Sequence, residues 1–193
     1  MSGTNKRITF ARSPQGLPTL EDFGADEVAV PKPADGQFLS RSIYLSLDPY
    51  YRNVMKNSQI YQDRLAAGDV MVGETVAQIV ESKHPDYKAG EYVAVRNGWQ
   101  QYAVSKGDGV RRIDPAVAPI STALGVLGMP GLTGFAGTIS LGEPKPGDTF
   151  VVSAATGPVG STAGQTARLM GARVVGIAGG KEKCDYAVRE LGY

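Results

Sequence analysis

The stretch VVSAATGPVGSTAG, residues 151–164, has the glycine spacing that points most directly to chemistry in this chain. Gly157 and Gly160 follow an apolar run, TFVVSA, that predicts a buried strand, and they precede a segment with helical spacing. The first N–H groups of such a helix lack intrahelical partners and can bind a pyrophosphate, which Gly157 lets approach while Gly160 allows tight packing. The fingerprint G-x-G-x-x-G has Ala155 at its first position here, and a plain strand-to-helix turn is the alternative. The order strand, turn, helix, strand favours nucleotide binding.

Two lysines follow the second strand of this unit and indicate which nucleotide would bind. NAD-selective folds place an acidic residue about 20 residues past the glycines, where it binds the ribose 2′-hydroxyl. Here the strand ends in GIAGGKEKC, where two glycines precede Lys181 and Lys183 and no carboxylate stands at the strand tip. Because a 2′-phosphate needs room and a cation, the sequence predicts NADPH rather than NADH. A solvated lysine pair at the start of a helix is the alternative.

Few residues of this chain could form a metal site or act as a catalytic nucleophile. The chain has one histidine, His84, in a polar turn, and one cysteine, Cys184, within a helical pattern. Catalytic zinc needs three protein ligands, usually including Cys or His, so we expect no metal. A Ser–His or Cys–His pair has equally little support. The chemistry would therefore come from the cofactor, with the protein placing and polarising the substrate.

The composition excludes several other classes of protein. Twenty basic and 19 acidic residues give a net charge of +1, which offers no electrostatic footprint for nucleic acid or an anionic membrane. No apolar run approaches the roughly 20 residues of a membrane helix, and the first residues have no secretory apolar core. A single cysteine fits a reducing compartment, so we expect a cytoplasmic protein.

The elements that would position these residues change in type along the chain. Short Val-, Ile- and Tyr-rich runs at 37–47, 74–82, 91–96 and 100–105 predict strands of a small antiparallel barrel or sandwich. Residues 118–142 fit helical stretches broken by glycines and Pro130. A β-α-β-α pattern follows and predicts the opening of a parallel sheet. We therefore expect two domains, residues 1–118 and 119–193.

Four motifs in combination carry a family resemblance: YLSLDPYYR, GVLGMPGLTGFAG, SAATGPVGSTAGQ and VVGIAGGKEKC. They resemble the zinc-independent medium-chain dehydrogenase/reductase superfamily. Within it they are similar to the leukotriene B4 12-hydroxydehydrogenase/prostaglandin reductase group, with bacterial NADPH-dependent curcumin reductases as the nearest members. The resemblance implies a GroES-like antiparallel β-barrel followed by a Rossmann doubly wound parallel sheet, and a homodimer. It also implies reduction of a carbon–carbon double bond conjugated to a carbonyl.

The resemblance also implies roles for particular residues. Gly157, Pro158, Val159 and Gly160 would hold the pyrophosphate. Gly179 and Lys183 would lie at the adenosine 2′-phosphate, in agreement with the argument from the end of the strand. Thr133 would lie near the nicotinamide. The family's chains are considerably longer, so we expect the Rossmann part to be incomplete and this chain alone to be an inactive fragment.

Hydride transfer to an enone leaves negative charge on the carbonyl oxygen, where a neutral hydrogen-bond donor lowers the barrier. A tyrosine hydroxyl, with a pKa near 10, stays protonated at neutral pH. Tyr50, just after a strand, and Tyr61, in a polar loop, are the candidates, and both are favoured by the resemblance to curcumin reductases. Each has the alternative of an ordinary barrel or surface tyrosine. A quinone reductase and a non-catalytic NADPH-binding protein are the rival functions.

Overall fold

Residues 3–56 and 64–193 are described by the computed structural model, and the chain divides into two units, Met1–Ser121 and Thr122–Tyr193. The first unit holds seven strands in its described part, all paired antiparallel. These strands are β1 Thr4–Phe10, β2 Phe23–Ala29, β3 Phe38–Leu45, β4 Thr75–Ser82, β5 Tyr92–Val95, β6 Tyr102–Ser105 and β7 Arg111–Ile113. A short helix, α1, spans Tyr51–Met55, and a 3-10 turn spans Leu20–Asp22.

The strands form a five-stranded sheet in the order β6-β3-β4-β5-β7 and a two-stranded sheet of β1 and β2. Backbone hydrogen bonds join the small sheet to the segments beside the large one, including Ile8 N–H to Trp99 O at 2.8 Å and Phe10 N–H to Asp69 O at 2.8 Å. Two apolar clusters fill this unit. They consist of Phe10, Val54, Met55, Leu65 and Met71, and of Phe38, Ala77, Ile79, Val93 and Val95.

The four strands predicted for the first unit are confirmed as β3, β4, β5 and β6. The sequence did not predict β1, β2 and β7. β2 reads FGADEVA and contains Gly, Asp and Glu, which are depleted in strands. Pairing with β1 compensates, because Arg7 lies directly opposite Asp26 and binds its carboxylate through two hydrogen bonds of 2.8 and 2.6 Å.

The second unit begins a parallel sheet. Strands β8, Thr149–Ser153, and β9, Arg173–Ile177, pair in parallel, with Val151 opposite Val175. Helix α3, Pro158–Leu169, connects them, and helix α4, Gly180–Arg189, follows β9. Ala167, Ala172 and Val174 form the buried core, and the β-α-β-α prediction is confirmed. The fold is thus an antiparallel barrel domain followed by a partial Rossmann-type sheet.

The helical segment at residues 118–142 differs in detail from its prediction. After a 3-10 turn, Ile120–Leu124, helix α2 spans Met129–Ala136 and continues as a π-helical segment, Gly137–Gly142. The expectation that Pro130 breaks a helix is wrong, because Pro130 lies in the first turn, where its missing N–H costs nothing. The glycines let helices approach: a Cβ at Gly134 would lie 2.6 Å from Val159 O of α3. None of the helices in the described ranges is long and apolar enough to cross a membrane.

Candidate functional site

The turn between β8 and α3 is held by its own backbone. Gly157 N–H donates to Ala154 O at 2.9 Å, and Ala155 N–H donates to Ile177 O at 3.1 Å, which ties the turn to β9. Ala154 has a φ of +48°, in the left-handed region, whereas Ala155 does not have a positive φ. The turn therefore forms without a glycine at position 155, because the left-handed residue is Ala154 one position earlier.

Gly160 is fixed by packing against the turn. A Cβ at this position would lie 2.4 Å from Ala154 O and 3.0 Å from the Cα of Ala155, so only glycine lets the helix begin so close to the strand end. Gly157 is the N-cap of α3 with extended backbone, and Pro158 follows in the first turn. Val159 is 38% exposed. α3 thus begins close to the end of β8, and a helix N-terminus in this position can bind an anion through the N–H groups of its first turn.

A groove of about 640 Å³ joins this turn to the end of β9. Its lining residues are Ala154, Thr156, Gly157, Ile177, Ala178, Gly179 and Lys183. Gly179 is the N-cap of α4, and a Cβ there would meet no atom within 4 Å, so the groove is open beside it. Gly180 has a φ of +80°, which favours glycine. The structure thus brings Gly157, Gly179 and Lys183 to one groove.

The two lysines of α4 have different surroundings. Lys181 Nζ lies 2.6 Å from Asp185 Oδ2, one helical turn along α4, and forms an ion pair with it. Lys183 lines the groove. The two side chains are therefore a natural pair for comparison, since both are exposed lysines of one helix and only Lys183 lines the groove beside residues 154–160, the predicted phosphate turn.

Thr133 lies on the exposed side of α2, and its hydroxyl donates to Met129 O of the preceding turn at 2.7 Å. Its neighbour Gly134 packs against Val159 O of α3. Thr138 adds a second link, because its buried hydroxyl lies 2.8 Å from Gly134 O and 3.3 Å from Ala163 O. Thr133 is thereby carried on a helix fixed against α3.

Tyr50 belongs to the first unit and lies at the N-terminal boundary of α1. Its half-buried side chain packs against the cluster that contains Val54 and Met55, and its ring centroid is 4.4 Å from that of Tyr51. Tyr61, the other predicted tyrosine, lies outside the described residues. Trp99 also packs against this cluster and stacks on Phe23 at 5.7 Å, so it belongs to the barrel interior.

Tyr51 and Glu74, in the same part of the first unit, were not among the predicted site residues. The Tyr51 hydroxyl oxygen accepts a hydrogen bond from Glu74 N–H at 3.1 Å, and burial raises the pKa of Tyr51 well above its ordinary value. Burial also raises the pKa of the Glu74 carboxyl, and the nearby cation of Arg111 offsets part of that rise. DPYYR places Tyr51 next to Tyr50 in the sequence, whereas Glu74 is distant, so no local pattern could have identified it.

His84 and Cys184 lie in different units. The His84 ring is held in a turn, since Asp86 N–H donates to Nδ1 at 3.1 Å and Nε2 lies 3.1 Å from Lys106 O. Cys184 is exposed on α4. In the part of the chain that the structure describes, no three or more His, Cys, Asp or Glu side chains cluster as metal ligands would.

The antiparallel barrel followed by a βαβ unit with a glycine turn defines the architecture of the medium-chain dehydrogenases/reductases. A family model described as the N-terminal domain of oxidoreductase matches residues 6–113. The NADPH-dependent curcumin reductase of Escherichia coli is 48% identical over 189 residues, which are 98% of this chain and 55% of that protein. Prostaglandin reductase 1 of Oryctolagus cuniculus is 39% identical over 191 residues, 97% of this chain and 52% of that protein.

Among solved structures, CurA from Vibrio vulnificus in complex with NADPH superposes with a TM-score of 0.92 at 46% identity, over 97% of this chain and 56% of that one. The chain therefore belongs to the zinc-independent medium-chain dehydrogenase/reductase superfamily, in the group of curcumin and prostaglandin reductases. The predictions of family and fold are confirmed. The chain spans about half the length of these relatives.

Proposed function

We propose that this protein is an NADPH-dependent oxidoreductase that reduces the carbon–carbon double bond of α,β-unsaturated ketones and aldehydes. The observation that carries the proposal is the groove in which the glycine turn of α3 meets Lys183 at the start of α4. The names of the E. coli and V. vulnificus relatives, a curcumin reductase and an NADPH complex, point to the same chemistry.

The residues of the second unit fit NADPH. The pyrophosphate would lie on Gly157, Pro158, Val159 and Gly160, where the open helix end offers N–H groups and partial positive charge. The 2′-phosphate would lie beside Gly179 and Lys183, because the first leaves space and the second supplies a cation. Thr133 would lie towards the nicotinamide. Residues 119–193 would thus begin the cofactor domain, and residues 1–118 would form the substrate side.

When bound, NADPH would supply a hydride to the β-carbon of the enone; negative charge would develop on the carbonyl oxygen of the substrate until the α-carbon takes up a proton. Tyr50 would donate a hydrogen bond to that oxygen, since a phenol is a neutral donor at neutral pH. Packing of its ring against the α1 cluster would limit the side chain's freedom and fix the hydroxyl. Tyr61 is proposed as a second donor from its place in a polar segment of the sequence and from the family resemblance. A homodimer belongs to the same proposal on the basis of the resemblance, and a cytoplasmic location on the basis of the single cysteine.

The test follows NADPH oxidation with a panel of enones, with NADH and a quinone in parallel. It uses a protein that carries this chain at the full length of its relatives, because the chain alone, at about half that length, is expected to be inactive. We expect loss of NADPH only when an enone is present, and a kcat about 100-fold lower in Tyr50→Phe, because one preorganised donor is removed. Tyr44→Phe, at an exposed tyrosine of β3, is the matched control and should match the wild type.

Two results would contradict this assignment. Cofactor binding without turnover on any electrophile would indicate a non-catalytic NADPH-binding protein. Faster reduction of the quinone than of every enone would indicate a quinone reductase. If Tyr50→Phe retained the wild-type kcat on enones, Tyr50 would lose its assigned role even though the reductase activity stood.

A further inference from the structure

Tyr193 fills a slot made by two glycines of the second unit. A Cβ at Gly164 of α3 would lie 2.2 Å from the Tyr193 hydroxyl oxygen, and a Cβ at Gly176 of β9 would lie 2.7 Å from its Cδ2 atom. Any side chain at either glycine would therefore displace the ring. The ring also packs against the core of Ala167, Ala172 and Val174, so its position is set by both a helix and a strand.

The hydroxyl of Tyr193 reaches the first turn of α3. Its oxygen lies 3.0 Å from Gly160 O and 3.0 Å from Ser161 O, and the O–H donates toward these carbonyls. Burial raises the pKa of the Tyr193 phenol, which keeps its proton in place for this donation. Gly160 is the last glycine of the phosphate turn, so the hydroxyl holds the helix end that would carry the pyrophosphate.

The turn after α4 fixes Tyr193 from the other side. Tyr193 N–H donates to Ala187 O at 3.0 Å, and Gly192 has a φ of +71° that turns the chain toward α3. Arg168 of α3 approaches the same turn, with its Nη1 atom 3.4 Å from Leu191 O. The position of Tyr193 is thus fixed by contacts that lie outside the turn that its hydroxyl supports.

From this geometry we infer that Tyr193 is a positioning residue for the cofactor site: its hydroxyl holds the first turn of α3 in the arrangement that receives the pyrophosphate. The inference rests on the proposed NADPH function. Helix ends tend to fray, and a helix end ordered before binding does not have to be ordered by the ligand. Removal of the hydroxyl should weaken binding of any dinucleotide, because the pyrophosphate is common to NADPH and NADH.

The experiment measures the Kd of NADPH and of NADH, well below the melting temperature, for the wild type, Tyr193→Phe and Tyr186→Phe. Tyr193→Phe keeps the ring in its slot and should raise both Kd values by about fivefold, with their ratio unchanged, as expected for one lost hydrogen bond. In the protein at the full length of its relatives, the KM for NADPH should rise similarly while kcat at saturation stays constant. Tyr186→Phe, at an exposed tyrosine of α4, should match the wild type.

The possible outcomes distinguish a failure of this inference from a failure of the proposed function on which it rests. A lower melting temperature of Tyr193→Phe with unchanged Kd values would show a purely structural tyrosine and overturn the inference. A change in the ratio of the two Kd values would also overturn it, since the effect would then not lie at the pyrophosphate. Absence of NADPH binding by the wild type would overturn the proposed function, and the inference with it.

Discussion

At the scale of single residues, two non-glycine positions of the second unit adopt left-handed backbone. Ala154 has a φ of +48° in the phosphate turn, and Glu143 has a φ of +42° where the π-helical segment ends. This conformation costs L-residues roughly 1–2 kcal/mol because Cβ approaches the carbonyl oxygen. Ala154 adopts this conformation in the turn that leads from β8 to Gly157, the N-cap of α3. Glu143 lies at a helix end, where glycine is the usual residue.

Replacement of Glu143 by glycine should therefore stabilise the protein. Glycine removes the Cβ strain, while its greater backbone freedom in the unfolded chain offsets part of the gain, so we expect about 0.5–1 kcal/mol in the free energy of unfolding. Urea unfolding of Glu143→Gly, with Glu143→Ala as the control that keeps a Cβ, measures it. A glycine variant no more stable than the alanine variant would show that the backbone is not strained there.

Some residues of the candidate site could be predicted from the sequence and others could not. Gly157, Gly160 and Lys183 were predicted because local spacing carries their signal. Tyr193 had no local signal, since its partner Gly160 is 33 residues away, and only the folded chain brings the two together. The roles of the predicted residues in binding stay predictions.

At the scale of elements, α3 packs through small residues. Gly160 and Gly164, four residues apart, lie on one buried face of this helix, where they meet the phosphate turn and Tyr193. A buried glycine in a helix interior costs helix propensity, so its presence here is explained by close packing. Because α3 packs closely against the turn, the N-terminus of α3 lies at the groove.

Substitution of Gly164 by alanine tests this packing. The added Cβ would lie 2.2 Å from the Tyr193 hydroxyl oxygen, and we expect a loss of about 1–3 kcal/mol in the free energy of unfolding. The matched control is Gly137→Ala, at a helical glycine whose added Cβ would meet no atom within 4 Å and which should gain up to about 1 kcal/mol. Denaturant midpoints that move equally for the two variants would refute the slot.

Local sequence patterns predicted some of the helices and strands but not others. β3 to β6 were predicted because they are short runs rich in Val, Ile and Tyr. α3, β9 and α4 were predicted because their segments follow a β-α-β-α pattern. β1 and β2 were missed because their pairing joins residues that are distant in sequence, such as Arg7 and Asp26, 19 positions apart, and no local pattern shows it. Pro130 was taken as a break because a proline inside an apolar run is ambiguous between a helix start and a helix stop.

At the scale of the whole molecule, the chain combines a barrel domain with a βαβ unit and spans about half the length of its relatives. The barrel holds Tyr50 and its buried neighbour Tyr51, whose hydroxyl accepts a hydrogen bond from Glu74 N–H, and the βαβ unit holds the groove. The proposed division of labour follows from this: one unit offers a hydrogen-bond donor to the substrate and the other offers a phosphate site to the cofactor.

The measurement that tests the central claim most directly compares the Kd of NADPH and NADH in the wild type, Lys183→Gln and Lys181→Gln. We expect the wild type to bind NADPH about 10- to 100-fold more tightly, as a charge-assisted contact with the 2′-phosphate predicts. Lys183→Gln should lose most of this preference with no change in the Kd of NADH. Lys181→Gln, whose lysine pairs with Asp185, should keep it. Equal affinity of the wild type for both cofactors, or a preference that survives Lys183→Gln, would contradict the account.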